Sequence, residues 1–160
     1  MRKGMVVMWV VMGAGCGVAS AGEVRPVLDL DGPWEFRLDP ASVGEAEGWC
    51  GESVSFPDSI RVPGAWDAQG FGEETAKMCH SHVGKGWYGR TVAIPADWQG
   101  RRLCLCFGGV SRSAKVWVNG QFAGAPLGYV SDFAFDITSH AVAGQPCRIV
   151  VMVDSEQRWN

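Results

Sequence analysis

The chain lacks several things, and each absence narrows its function. Its 160 residues carry 14 Lys and Arg against 17 Asp and Glu, a formal net charge of −3. With no basic excess and no basic stripe, nothing displaces counterions from a phosphate backbone, so a nucleic-acid partner is not expected. No apolar run approaches the roughly 20 residues that a membrane-spanning helix needs. No window of about a dozen residues has the 3.6-residue hydrophobic period of an amphipathic helix. There is no internal repeat. Cys79-His80-Ser81-His82 has no second ligand pair at zinc spacing, so neither a metal site nor any other cofactor is expected.

What the chain has in quantity is glycine and tryptophan, 22 and 8 residues. The glycines imply many tight connections between short elements. The tryptophans imply large core anchors or flat stacking platforms. Length alone fits one domain.

The N-terminus has the three parts of an export signal. Met1-Arg2-Lys3 is basic, Met5 to Met12 is apolar, and Ala19-Ser20-Ala21 offers small residues at a cleavage site. Residues 1–21 are therefore expected to be a signal peptide outside the fold, with a mature domain over 22–160 that is periplasmic or extracellular. Cys16, after Gly13-Ala14-Gly15, leaves a lipoprotein alternative open, although position 13 is Gly where Leu is usual. Cleavage after Ala21 removes Arg2 and Lys3 and leaves 12 basic against 17 acidic side chains, a net charge of −5. It also leaves five of six cysteines, an odd number that argues against a full disulfide framework. Cys104 and Cys106 read as small buried residues of one strand. Pairing of Cys50 with Cys79 stays open.

The rest reads as strands. Leu28, Leu30, Trp34, Phe36 and Leu38 alternate with Asp29, Asp31, Glu35, Arg37 and Asp39, the period of a half-buried strand. Gly32-Pro33 predicts a bend or bulge within it. Residues 40 to 58 read as a loop, 60–62 as a short strand, and 67 to 86 as a long irregular stretch. Residues 87–94, 103–107, 133–137 and 149–153 read as further strands. Asn119-Gly120 between two β-rich runs predicts a type I′ hairpin, because both central residues must take positive φ. Seven to nine short strands with regular turn signals predict an all-β, antiparallel sandwich.

Five motifs carry this further: Leu30-Asp31-Gly32-Pro33-Trp34-Glu35-Phe36; Val62-Pro63-Gly64-Ala65-Trp66; Gly86-Trp87-Tyr88-Gly89-Arg90; Phe107-Gly108-Gly109-Val110 followed by Ala114-Lys115-Val116-Trp117-Val118-Asn119-Gly120; and Phe133-Ala134-Phe135-Asp136-Ile137-Thr138. In order and spacing they resemble the N-terminal sugar-binding domain of family 2 glycoside hydrolases, the β-galactosidase, β-glucuronidase and β-mannosidase group. The resemblance covers about residues 26 to 154. It implies a jelly-roll, galactose-binding-like sandwich placed ahead of an immunoglobulin-like domain and a (β/α)8 barrel. That barrel carries an acid/base Glu and a nucleophilic Glu, the pair of a retaining mechanism. The acid/base Glu normally follows an Asn, and this chain has no Asn-Glu pair. The resemblance therefore implies a fragment or truncated relative without catalytic residues, inactive alone and acting on a carbohydrate partner. The alternatives are a stand-alone carbohydrate-binding module and an envelope lipoprotein domain.

Two loops could reach a sugar, Met78 to Lys85 and Gly128 to Asp132. Asp132, His80 and His82 are their polar candidates, since a carboxylate or imidazole can orient sugar hydroxyls. The competing roles are turn stabilisation for Asp132 and plain solvation for the histidines. Tyr129 is a candidate stacking platform. Trp66 and Trp87 flank the long stretch and could border a groove, with core packing as the competing role. Trp98, in a turn, is expected to be the exposed tryptophan.

Overall fold

The computed structural model describes residues 6–11, 26–76, 79–110, 112–126 and 132–156. They form twelve strands: β1 (Val6–Val11), β2 (Val27–Asp29), β3 (Gly32–Asp39), β4 (Asp58–Val62), β5 (Glu73–Ala76), β6 (Cys79–Ser81), β7 (Lys85–Ala93), β8 (Arg102–Phe107), β9 (Ser113–Val118), β10 (Gln121–Gly124), β11 (Phe133–Asp136) and β12 (Pro146–Asp154). A six-stranded sheet runs β10-β9-β12-β7-β3-β4 and a four-stranded sheet runs β11-β8-β1-β2. Every pairing is antiparallel. The main core holds Trp34, Phe36, Ile149 and Val151 of the larger sheet together with Leu103, Leu105 and Phe107 of the smaller. This is the expected antiparallel sandwich, with apolar side chains of two sheets meeting in one layer.

The alternation in residues 28–39 is real, but it belongs to two strands rather than one bent strand. β2 lies in the four-stranded sheet and β3 in the six-stranded sheet. The chain changes sheets at Leu30-Asp31, not at Gly32-Pro33, which open β3. The crossing is held by hydrogen bonds. The Leu30 carbonyl accepts from the Trp34 indole at 2.8 Å and from the Arg90 guanidinium at 2.6 Å. Sequence period cannot register such a switch, because the apolar side still points into the same core on both sides of it.

The hairpin forms as expected. Asn119 and Gly120 have φ of 50° and 74° between β9 and β10. The Asn119 side chain is also used twice: its amide donates to the His140 carbonyl at 2.8 Å, and its oxygen accepts from the Arg148 backbone N–H at 2.7 Å.

Residues 40–57 connect β3 to β4, and they do more than a loop reading suggests. They fold over the outer face of the six-stranded sheet and build a second apolar cluster of Trp49, Phe56, Trp87, Trp117, Val150 and Met152. Asp39 anchors this cover. Its buried carboxylate accepts from the backbone N–H groups of Val43 and Gly44, both at 2.9 Å, and from the Trp87 indole at 3.1 Å. At the other end, Arg148 grips Glu35 with two bonds of 2.9 and 2.7 Å and donates to the Val54 carbonyl at 2.6 Å.

Both anchoring carboxyls are held below their usual range. For Glu35 the Arg148 hydrogen bonds dominate, against an opposing effect of burial, with the Phe56 N–H adding to them. For Asp39 burial is the largest influence and pushes upward, but the donors from Gly44, Val43 and Trp87 together outweigh it. A carboxyl with a depressed folded value stabilises the fold above its unfolded value and loses that contribution as pH falls through the folded one. Urea midpoints should therefore be level from about pH 6 to 8 and fall below about pH 4, under the unfolded carboxylate range. An equal midpoint at pH 3 and pH 7 would contradict the anchoring role.

Three other expectations change. The stretch 67–86 contains the ribbon β5–β6, which Gly72 permits. With φ of 116°, it lies so close to β6 that a Cβ there would come within 2.5 Å of the Ser81 carbonyl oxygen. Trp98 is not exposed. It is 4% accessible, because its single 3-10 turn, Ala96–Trp98, folds back onto the main core. Val6–Val11, expected outside the fold, is a strand paired on both sides. The remainder of the expected signal peptide, Cys16 included, lies outside the described residues.

Cys104 is buried as expected and Cys106 only partly so. Cys50 is a free thiol, as are Cys104 and Cys147, and the Cys79 side chain is outside the described residues. Burial pushes the Cys147 thiol up to about 11, with the Glu52 charge adding to it. No described helix is long and apolar enough to cross a membrane.

Candidate functional site

The sandwich has a cavity of about 610 Å³ at one end. It opens where β4 ends, β7 begins, and the β8–β9 connection passes. Its walls follow from strand alternation. Trp34 and Tyr88 reach it from the inner face of β3 and β7, while Phe107 closes it from β8. The segment after β4 turns at Pro63-Gly64 and brings Trp66 and Asp67 to the rim. The segment after β6 brings His82 and Val83, and Arg112 comes from the connection before β9.

Trp66 and His82 form the centre of the rim. Their rings meet edge to face with centroids 5.9 Å apart, and the Trp66 indole donates to the His82 carbonyl at 3.2 Å. Trp66 is 9% accessible, so it is a wall of the cavity rather than a free platform. Gly86 lies directly beneath it; a Cβ there would come within 2.8 Å of the indole ring. The Nε2 of His82 is buried without a hydrogen-bond partner among the described residues. An unsatisfied buried polar atom is costly and calls for an explanation. Burial raises the Tyr88 phenol above its usual range, and the Asp67 charge raises it further. The phenol is therefore neutral at physiological pH and can both donate and accept.

The other candidates are distributed differently. His80 lies in β6, and its Nδ1 is 3.4 Å from the Gly72 carbonyl, so it braces the ribbon rather than lining the cavity. Asp132 is exposed, just before β11, and is outside the cavity wall. Tyr129 lies outside the described residues. Among the described residues, no three His, Cys, Asp or Glu side chains gather as a metal site would require. Sequence reasoning missed Trp34, Tyr88 and Arg112. Alternation marked Trp34 as core, and it is both core and cavity wall.

Concavities lined by apolar and aromatic side chains with a few polar groups are the usual form of a ligand site. Here the hydroxyl of Tyr88, the imidazole of His82, the carboxylate of Asp67 and the guanidinium of Arg112 stand among indoles. That mixture suits a polyhydroxylated ring with one polar edge and one C–H face.

Known proteins carry the same architecture. A β-glucuronidase of Ruminococcus gnavus, solved with D-glucaro 1,5-lactone, superposes with a TM-score of 0.73 at 27% identity, over 81% of this chain and 22% of that one. A β-glucuronidase of Paenibacillus borealis is 32% identical over 135 residues, 84% of this chain and 22% of the relative. A β-galactosidase of Thermoanaerobacter pseudethanolicus is 36% identical over 130 residues, 81% of this chain and 15% of the relative. The chain thus spans about a fifth of the length of such relatives. The family model for the sugar binding domain of glycosyl hydrolases family 2 matches residues 27–160. The matched region contains the crossing at Leu30, the Asn119-Gly120 hairpin and the whole cavity wall, and on that match the chain belongs to family 2 of the glycosyl hydrolases, as its sugar binding domain.

Proposed function

We propose that this domain is the carbohydrate-contacting and bracing part of an exported, retaining β-glycosidase whose two catalytic carboxylates stand on a barrel outside these 160 residues. The observation that carries the reading is the cavity, where Trp66 and His82 meet beside Tyr88 and Arg112. A retaining mechanism needs two carboxyl groups about 5–5.5 Å apart across the scissile bond. Among the described residues, Asp67 is the one carboxylate in this wall and has no carboxylate partner there. The domain's part is therefore to hold and orient, through hydrogen bonds from His82 and Tyr88 and apolar contact with the indoles. The names of the relatives favour a β-linked glucuronide or galactoside as the sugar.

The test is calorimetric titration of the purified chain with methyl β-glucuronide and methyl β-galactoside. One of them should bind at about millimolar strength, or about −4 kcal/mol. His82→Ala should weaken that binding about tenfold by removing one oriented hydrogen bond. The unsubstituted chain should release no nitrophenol from the matching nitrophenyl glycosides. Absence of binding to both sugars, or binding undiminished by His82→Ala, would remove the basis for the site. Turnover by the chain alone would overturn the division of labour.

A further inference from the structure

The four-stranded sheet contains an arrangement that its motifs do not explain. β8 and β2 are not paired with each other; β1 stands between them. Six consecutive residues of β1 face six of β8, from Val6 opposite Phe107 to Val11 opposite Arg102. Three residues of β1, Val7, Met8 and Trp9, also face Asp29, Leu28 and Val27 of β2. Among the described residues β2 has no other strand neighbour, and β8 has only β11 on its far side.

We propose that the gap between β8 and β2 is a strand-acceptor slot, and that the chain's own Val6–Val11 is its occupant for as long as that segment stays attached. β8 carries Leu103, Leu105 and Phe107, which are buried in the domain with β1 in place. Without β1, the N–H and C=O groups on that side of β8 would stand as a bare sheet edge. An unpaired edge of this length and hydrophobicity is a template for another strand. The segment VVMWVV answers that need. It has no charge, no glycine and no proline, and it is rich in β-branched residues suited to a covered strand.

The same six residues form the apolar centre of the leader read in the sequence. The two uses exclude each other in time. While the segment is held by an export apparatus the slot stands empty, and cutting after Ala21 separates the occupant from the sheet. Leader removal therefore changes the folded domain itself. This inference is independent of the sugar-binding reading.

The register allows a direct test in the full 160-residue chain. Val7 is opposite Cys106 and Trp9 is opposite Cys104, both native cysteines. Directly opposed residues in an antiparallel pair have Cα atoms about 4.5–5.5 Å apart, within the range of about 4.4–6.8 Å that a disulfide accepts. Val7→Cys and Trp9→Cys would be oxidised mildly with copper phenanthroline and their disulfides mapped by peptide mass spectrometry. Met8→Cys, opposite Leu105, is the control. The expected products are 7–106 and 9–104 crosslinks, each formed about tenfold more than any crosslink of the control, because the control lacks an opposed thiol. Amide hydrogens of 103–107 should also exchange about tenfold faster in a chain starting at Gly22 than in the full chain, as an edge that has lost its partner does. Crosslinking no greater than in the control, or directed mainly to Cys50 or Cys147, would overturn the proposal. Equal exchange in the two chains would do so as well.

Discussion

Trp87→Ala is expected to lower the unfolding free energy by about 3–5 kcal/mol, the range for deleting a fully buried large aromatic. Trp87 has no solvent access. Its ring stacks on Trp117 at a centroid distance of 5.4 Å and meets Trp49 edge-on at 5.9 Å. The indole N–H is also one of three donors on the buried Asp39 carboxylate. Its removal leaves a hole between the sheet and its 40–57 cover, and weakens the anchor that positions the cover. Trp87→Phe separates these effects. It keeps an aromatic ring and loses the donor, so its cost should be smaller, about 1–3 kcal/mol for an under-satisfied buried acceptor. Urea unfolding of the three proteins is the measurement. Equal, small losses for both variants would mean that the outer cluster contributes little to stability.

Glu35→Ala is expected to cost about 2–4 kcal/mol, because it strands a buried guanidinium. Arg148 is only 5% accessible, and Glu35 is its one carboxylate partner among the described residues. The Val54 carbonyl remains as an acceptor, but it carries no compensating charge. Removing both partners is expected to be milder than removing either. A Glu35→Leu, Arg148→Met double variant replaces the pair with apolar volume and should recover most of the loss. A double-mutant cycle measures the coupling. If the double variant loses the sum of the two single losses, the pair acts as two independent residues and the account is wrong. Gly89 belongs to the same arrangement: a Cβ there would collide with the Arg148 guanidinium and press on Phe56.

These two residues show why some of the molecule was legible and some was not. The sandwich was readable because β3 alternates in burial, while β12 is an apolar run buried on both faces, as a central strand is. The hairpin was readable because Asn-Gly is a backbone requirement written in residue type. Three of the five motifs have physical roles in these contacts. Leu30, Trp34 and Arg90 secure the sheet crossing, Trp87 joins the outer cluster, and Asn119 ties β9 to β12. The cover was not readable. Trp49 and Phe56 are single aromatics in a Gly-, Ser- and Glu-rich run, and nothing local marks the face they bury. Trp98 was misplaced because a turn ordinarily faces solvent, whereas this one folds inward. Of the candidate sugar contacts, Trp66 and His82 come together because the elements that carry them converge. Asp132 stays apart because its place just before β11 puts it outside the cavity wall. An apolar run such as 6–11 carries one signal for two destinations, a leader and a strand.

The position of β12 has a consequence for when the protein can fold. It is the last of the described strands, yet it stands in the middle of the six-stranded sheet, paired with β7 along nine residues and with β9 along six. It also brings Arg148, whose partners Glu35 and Val54 lie 113 and 94 residues earlier. A chain emerging from its N-terminus therefore cannot close this sheet until about the 154th residue is free. Until then β7 and β9 have no strand between them, and Glu35 waits without its cation. Long-range pairing of this kind slows folding and prolongs the exposure of unpaired strands. The strand that locks the larger sheet is thus the last of the described strands to become available, and the sheet closes in one late step rather than strand by strand.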